Sequence, residues 1–278
     1  MHWLPLVVSL VAAAAITPAT IRSLVAQGMV RENYRGAPVA FPAGITIIVS
    51  ALIALIVLAP LFTLVDTDVF RYGAGTAISF VVGVGFLGLL DDLVGSDASL
   101  PRGWRAHFGA LLSGRVSTGA LKAFGTLGLA LIIESQPNGD AGRYLLAAAV
   151  LVLATNVFNL LDLRPGRTAK ALLLLGAGLT IGTRNFAPFF GVSLFIGPIL
   201  VLLPLELREV GMLGDTGSTA IGAVAGVWMV LALSTLGQLI AVGIMLLVTA
   251  YGEFRSISEL VERTPGLRQL DSLGRSHA

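Results

Sequence analysis

Residues 73–93 read GAGTAISFVVGVGFLGLLDDL. An apolar stretch about as long as a bilayer's hydrocarbon core is thick runs straight into two adjacent carboxylates, Asp91 and Asp92. Acids next to lipid are costly, so they usually face a cavity and mark a site. Acids also favour helix N-termini, and these two stand at a C-terminus, against the dipole. Neighbouring helical residues point about 100° apart, so one aspartate can face a ligand while the other meets a neighbouring segment. The pair can bind Mg²⁺ or take a proton from a phosphate or hydroxyl. Gly83, Gly85 and Gly88 in the same stretch spell G-x-G-x-x-G, but a dinucleotide fingerprint needs a strand–turn–helix unit. Inside an apolar span, close helix packing explains the glycines better.

The rest of the chain has the same character. Its 278 residues are 55% hydrophobic and 12% charged, with a mean hydropathy of +0.88. A soluble domain carries about twice that charge fraction. The fold class expected is all-α, a polytopic transmembrane bundle of about nine spans. The spans are 3–25, 43–65, 73–93, 117–136, 143–163, 168–184, 186–205, 213–233 and 235–252. The start resembles a signal peptide but lacks a basic n-region, and is read as a first span that stays attached. Residues 1–252 form the transmembrane domain. Residues 253–278 form a polar tail in which Ile257, Leu260, Val261, Leu267 and Leu270 suit a short amphipathic helix, interrupted at Pro265-Gly266.

With the N-terminus outside, 15 of the 18 Lys and Arg residues fall on the inner side, leaving only Arg71, Arg143 and Arg184 outside. That asymmetry sets the orientation and puts the tail in the cytoplasm. The chain has no cysteine, which excludes disulfides and thiolate chemistry. A net charge of +2 gives no case for nucleic acid.

Two further polar clusters then reach the cytoplasmic side. Asn156, Asn159 and Asp162 recur at i, i+3, i+6 at the end of the fifth span, offering donors and acceptors to a sugar, base or hydrated cation. Interhelical hydrogen bonding by asparagine is the competing reading. Arg164 and Arg167 flank Pro165-Gly166 in a turn suited to phosphate, although the positive-inside bias also accounts for them. Gly214-Asp215-Thr216-Gly217-Ser218 opens the eighth span, where backbone N–H groups can meet an anion and Asp215 can bring a metal to it, or where Asp and Thr simply cap. Arg102, Trp104, Arg105, His107, Arg115 and Lys122 follow the aspartate pair and suit a diphosphate or the anionic leaflet.

Taken in order, Asp91-Asp92, Asn156-x-x-Asn159-Leu-Leu-Asp162 and Gly214-Asp215-Thr216-Gly217-Ser218 resemble the signature of the polyprenyl-phosphate N-acetylhexosamine-1-phosphate transferases, which include the translocase making the first lipid intermediate of peptidoglycan. The resemblance implies a bacterial inner-membrane enzyme that transfers a phospho-sugar from a UDP-sugar to undecaprenyl phosphate with Mg²⁺, releasing UMP, and it implies a homodimer. Asp91, Asp92, Asp162 and Asp215 would be catalytic, with Asp162 and Asp215 holding the metal. Asn156, Asn159, Arg164, Arg167, Gly214, Ser218, Arg105 and Lys122 would bind substrate.

This sequence also departs from the family's pattern. No lysine follows in Asp92-Leu-Val-Gly-Ser96, Pro165 stands where a second aspartate is common, no histidine lies between His107 and His277, and a final span is missing. These departures keep a second expectation open, a catalytically inactive protein that binds a lipid phosphate or nucleotide-sugar. Ion-coupled transport is the third, and clusters at span ends rather than at mid-membrane speak against it.

Overall fold

The computed structural model describes residues 1–65, 70, 72–95, 117–135 and 139–275. Among these described residues nine long helices follow the apolar segments: α1 (Leu4–Ala26), α2 (Ile45–Leu64), α3 (Ala74–Val94), α4 (Thr118–Glu134), α5 (Ala141–Leu161), α6 (Arg167–Thr183), α7 (Ala187–Leu207), α8 (Gly214–Ala232) and α9 (Thr235–Phe254). Seven of them are long and apolar enough to cross a membrane. The other two, α4 and α6, have 17 residues each, short of the roughly twenty that a perpendicular crossing takes.

Local chemistry sets several of the boundaries. Ser117, Asp140 and Ser234 cap α4, α5 and α9 by accepting the N–H groups of Ala120, Arg143 and Gly237 at 3.2, 2.7 and 3.3 Å. Helix α8 has no side-chain cap of its own. It is also the centre of the bundle: 78% of its span is buried, against 6% for α9, which packs on α5 and exposes Ile240, Ile244 and Leu247. Small residues let neighbouring helices press close on α8. The glycines of the G-x-G-x-x-G run do the same for α3. A Cβ on Gly83 would strike Leu129 of α4, and one on Gly85 would strike Ile48 of α2.

The architecture is all-helical, as expected, with one small addition. Between α1 and α2 the chain forms a hairpin, β1 (Val30–Glu32) and β2 (Pro38–Ala40), paired antiparallel. Asn33 closes its turn by accepting the N–H groups of Arg35 and Ala37 at 2.9 and 3.0 Å, an Asx turn the helix-period reading passed over. The segment joining α7 to α8 runs beside β2: Ala40 N–H donates to Val210 O and Met212 N–H to Ala40 O. Glu209 ties the two segments, accepting from Asn33 Nδ2 at 2.6 Å and from the Tyr34 hydroxyl at 3.1 Å.

The tail differs too. It forms two helices, α10 (Ile257–Arg263) and α11 (Pro265–Ser272), broken one residue earlier than expected because Pro265 starts the second. It packs on the bundle, against the turn between α5 and α6. Hairpin, tail, the ends of α3, α5 and α7 and the starts of α4, α6 and α8 therefore share one end of the bundle. The opposite end carries an aromatic cluster of His2, Trp3, Tyr72, Phe189 and Phe190, with Trp3 edge-on to Phe190 at 5.1 Å.

Candidate functional site

The start of α8 borrows its cap from α3. Asp92 Oδ1 accepts the Asp215 N–H at 2.9 Å, and Oδ2 accepts the Thr216 N–H at 2.8 Å and the Thr216 hydroxyl at 2.6 Å. Gly214 makes the approach possible. Its φ of +69° suits glycine, and a Cβ there would lie 2.7 Å from Asp92 Oδ2. The unfavourable position of Asp92 at the C-terminus of its own helix is thereby offset by the positive end of another. Two expectations are corrected together. Asp92 is buried, with both oxygens engaged in capping, and the N–H groups of Asp215 and Thr216 are taken by that carboxylate rather than open to an anionic ligand.

One helical turn back from Asp92, a Cβ on Gly88 would come within 2.5 Å of Asp215 O, so the backbones of α3 and α8 touch there. This contact brings Asp91 and Asp215 to the same cation. Lys122 Nζ, in the second turn of α4, lies 2.7 Å from Asp91 Oδ2 and 2.6 Å from Asp215 Oδ2. Asp215 keeps a third of its side chain exposed, so the group remains open to a ligand. Two carboxylates against one ammonium leave a net negative charge.

The face carrying Asn156, Asn159 and Asp162 comes apart in space. At about 100° per residue these positions fan over some 120°, too wide for one focus. Asn159 Oδ1 accepts from the Ser218 hydroxyl at 2.7 Å and so belongs beside α8. Asn156 Nδ2 turns the other way and donates to Thr249 Oγ1 of α9 at 3.1 Å, the interhelical bond weighed against a binding role. Asp162 follows the last residue of α5 and lines a separate cavity of about 70 Å³ with Asn33, Tyr34, Arg164 and Glu206. Glu206 was not anticipated. Its Oε1 accepts the Gly166 N–H at 2.8 Å, while the buried Oε2 has no partner. A lone acid in the apolar run of 187–207 was a readable signal.

Neither arginine of the 164–167 turn is free for phosphate. Arg167 is 6% exposed and donates to Asp271 through Nε at 2.7 Å and Nη2 at 2.9 Å, and to the Ser258 hydroxyl through Nη1 at 3.1 Å. Arg275 adds a second guanidinium to Asp271 at 2.7 Å and donates through Nε to Pro165 O at 3.1 Å. Lys170 Nζ donates to Asp271 O at 2.7 Å. Arg164 pairs with Glu262 at 2.9 Å and stacks on Tyr34, 4.4 Å from its ring centre. The tail has taken the arginines expected to bind substrate. Arg105 and His107 lie outside the described residues.

The implied Mg²⁺ can be tested against these donors. No three acid or histidine side chains converge on one point among the described residues. Asp162 lines the cavity on the hairpin side, whereas Asp215 faces Lys122. Asp91 and Asp215 fit better: two hard oxygens already bracket a cation, and Mg²⁺ is commonly held by one or two carboxylates with substrate phosphates completing its shell. The candidate metal ligands thus become Asp91 and Asp215.

No family model matches the chain, and no curated protein matches it. The functional reading accordingly rests on the three polar segments and the way they meet.

Proposed function

We propose that the protein is a multi-pass enzyme of the bacterial inner membrane that transfers a phospho-N-acetylhexosamine, or a phospho-MurNAc-type sugar, from a UDP-sugar to undecaprenyl phosphate. All nine long helices cross the membrane in this reading, α4 and α6 as short spans, with the N-terminus outside and the site facing the cytoplasm. The observation that carries it is the Asp91–Lys122–Asp215 cluster beside the Asn159–Ser218 bond. Segments far apart in sequence, each matching one element of the transferase signature, meet at one end of the bundle.

In the reaction an oxygen of the lipid phosphate attacks the sugar-bearing phosphorus. The bond to the bridging oxygen breaks, UMP departs, and a lipid diphosphate-sugar forms. A divalent cation, when bound, would neutralise charge on the diphosphate and the departing UMP. Asp91 and Asp215 would hold that cation, and Asp91, with Asp92 taken up in capping, would position or deprotonate the lipid phosphate. Lys122 offers positive charge to an anion entering between α3, α4 and α8. Asn159, fixed by Ser218, would turn its amide toward the nucleotide-sugar. Holding two anions in one oriented site lowers the entropic cost of their encounter.

A second reading, a protein that binds lipid phosphate or nucleotide-sugar without turnover, is favoured by the occupation of Asp92 and by Lys122 filling the gap between the carboxylates. One experiment separates the two. Purified protein, undecaprenyl phosphate and Mg²⁺ are incubated with a panel of UDP-sugars, and UMP and bound ligand are measured. UMP release supports the transferase, and binding with no release across the panel selects the second reading.

A further inference from the structure

Lys122 stands where a cation is needed but where its own helix opposes one. It lies in the second turn of α4, near the positive end of that helix's dipole. It is mostly buried, with only 16% of the side chain exposed. What holds it are the two carboxylates at 2.7 and 2.6 Å. Without a cation between them, Asp91 and Asp215 would repel each other at close range in a medium of low dielectric. Both contacts use an Oδ2 atom, so the ammonium sits on the line a bridging ion would take.

We propose that Lys122 is the resident counter-ion of the Asp91–Asp215 pair and competes with a divalent cation for the same two oxygens. An ammonium contacts oxygen at hydrogen-bond length and Mg²⁺ at about 2.1 Å. The two ions cannot share the gap, so a metal can enter only as the lysine leaves. The flexible four-carbon stem of lysine permits that exit, which a rigid guanidinium fork would resist. The released ammonium then carries its charge toward the mouth of the site. The inference rests on the proposed reading only in taking the cation to be divalent.

The test measures metal binding, not turnover. Mn²⁺ affinity is followed by electron paramagnetic resonance, with Mg²⁺ as competitor, on detergent-purified wild type, Lys122→Met and Lys122→Gln. The variants are expected to bind Mn²⁺ at least tenfold tighter. Their metal-free Tm should fall and be restored by saturating Mg²⁺, and Asp215→Asn should abolish the gain. Unchanged or weaker Mn²⁺ binding in Lys122→Met and Lys122→Gln overturns the proposal. If neither variant folds, wild-type protein decides. Modification of Lys122 by an amine-reactive reagent, read by mass spectrometry, should speed up several-fold with Mn²⁺, and an unchanged rate sinks the idea. Absent UMP release with competition intact refutes the transferase alone, and turnover without competition refutes only the lysine's role.

Discussion

Asp92 Oδ2 accepts both the backbone N–H and the hydroxyl of Thr216, at 2.8 and 2.6 Å, joining the end of α3 to the start of α8. Hydrogen bonds to a buried carboxylate each contribute about 1.5–3 kcal/mol. Asp92→Ala is expected to cost about 3 kcal/mol or more, and Thr216→Val about 1–2 kcal/mol. Thermal unfolding of both variants and the double variant should show strong coupling between the two changes. Additive losses would mean that the cap contributes little.

Asp215→Asn should act differently. The side chain of Asp215 touches Lys122 and borders the opening, so the fold should survive while UMP release falls by at least a hundredfold. Turnover close to wild type would remove Asp215 from the chemistry.

Asn156 and Asn159 make a paired test. Asn159→Ala is expected to lower kcat/KM about tenfold or more, since its amide belongs to the α8 side of the site. Asn156→Ala should leave kcat/KM within about twofold and lower Tm slightly by loosening α9. The reverse pattern would show that the nucleotide-sugar binds on the α9 side.

Asp271 gives the clamp a pH signature. Burial pushes its carboxyl up, but the hydrogen bonds and charges of Arg167 and Arg275 outweigh this and hold it below its ordinary value. The folded value lies under the unfolded one, near 3.9, so its contribution is complete above about pH 5 and fades as acid carries the pH down through the folded value. Hydrogen exchange across 257–272 should stay slow and flat between about pH 5 and pH 8, after correction for the intrinsic rate, and show loss of protection below about pH 4. Asp271→Asn should lose protection at neutral pH as well.

Arg167→Met should lower stability by about 1–3 kcal/mol, because buried Asp271 loses two charged hydrogen bonds and keeps Arg275 as its remaining guanidinium. Measured below its Tm, the variant should keep KM for the UDP-sugar within about threefold. A large rise in KM with normal stability would return Arg167 to phosphate binding.

Periodicity and length made the helices legible. The expected span 73–93 and helix Ala74–Val94 differ by one residue at each end, because an apolar run bounded by turns leaves a helix few other places to begin or stop. The site was legible as three clusters but not as roles. Asp91 and Asp92 look equivalent in sequence, and only the packing of Gly88 against α8 decides that Asp92 caps while Asp91 faces Lys122. Arg167 reads as a phosphate ligand until Asp271, about a hundred residues later, is seen beside it. The Asn33 turn and Glu206 carry local signals, an Asx turn and an acid in an apolar run, which outweigh periodicity where they occur.

The borrowed cap has a consequence for biogenesis. Among the seven candidate spans α8 has the lowest mean hydropathy, 1.2, so lipid alone retains it least, and its N-terminal donors find their acceptor on a helix synthesised more than a hundred residues earlier. Synthesis from the N-terminus delivers α3 first, so its carboxylate is already made when the start of α8 emerges from the ribosome and needs an acceptor.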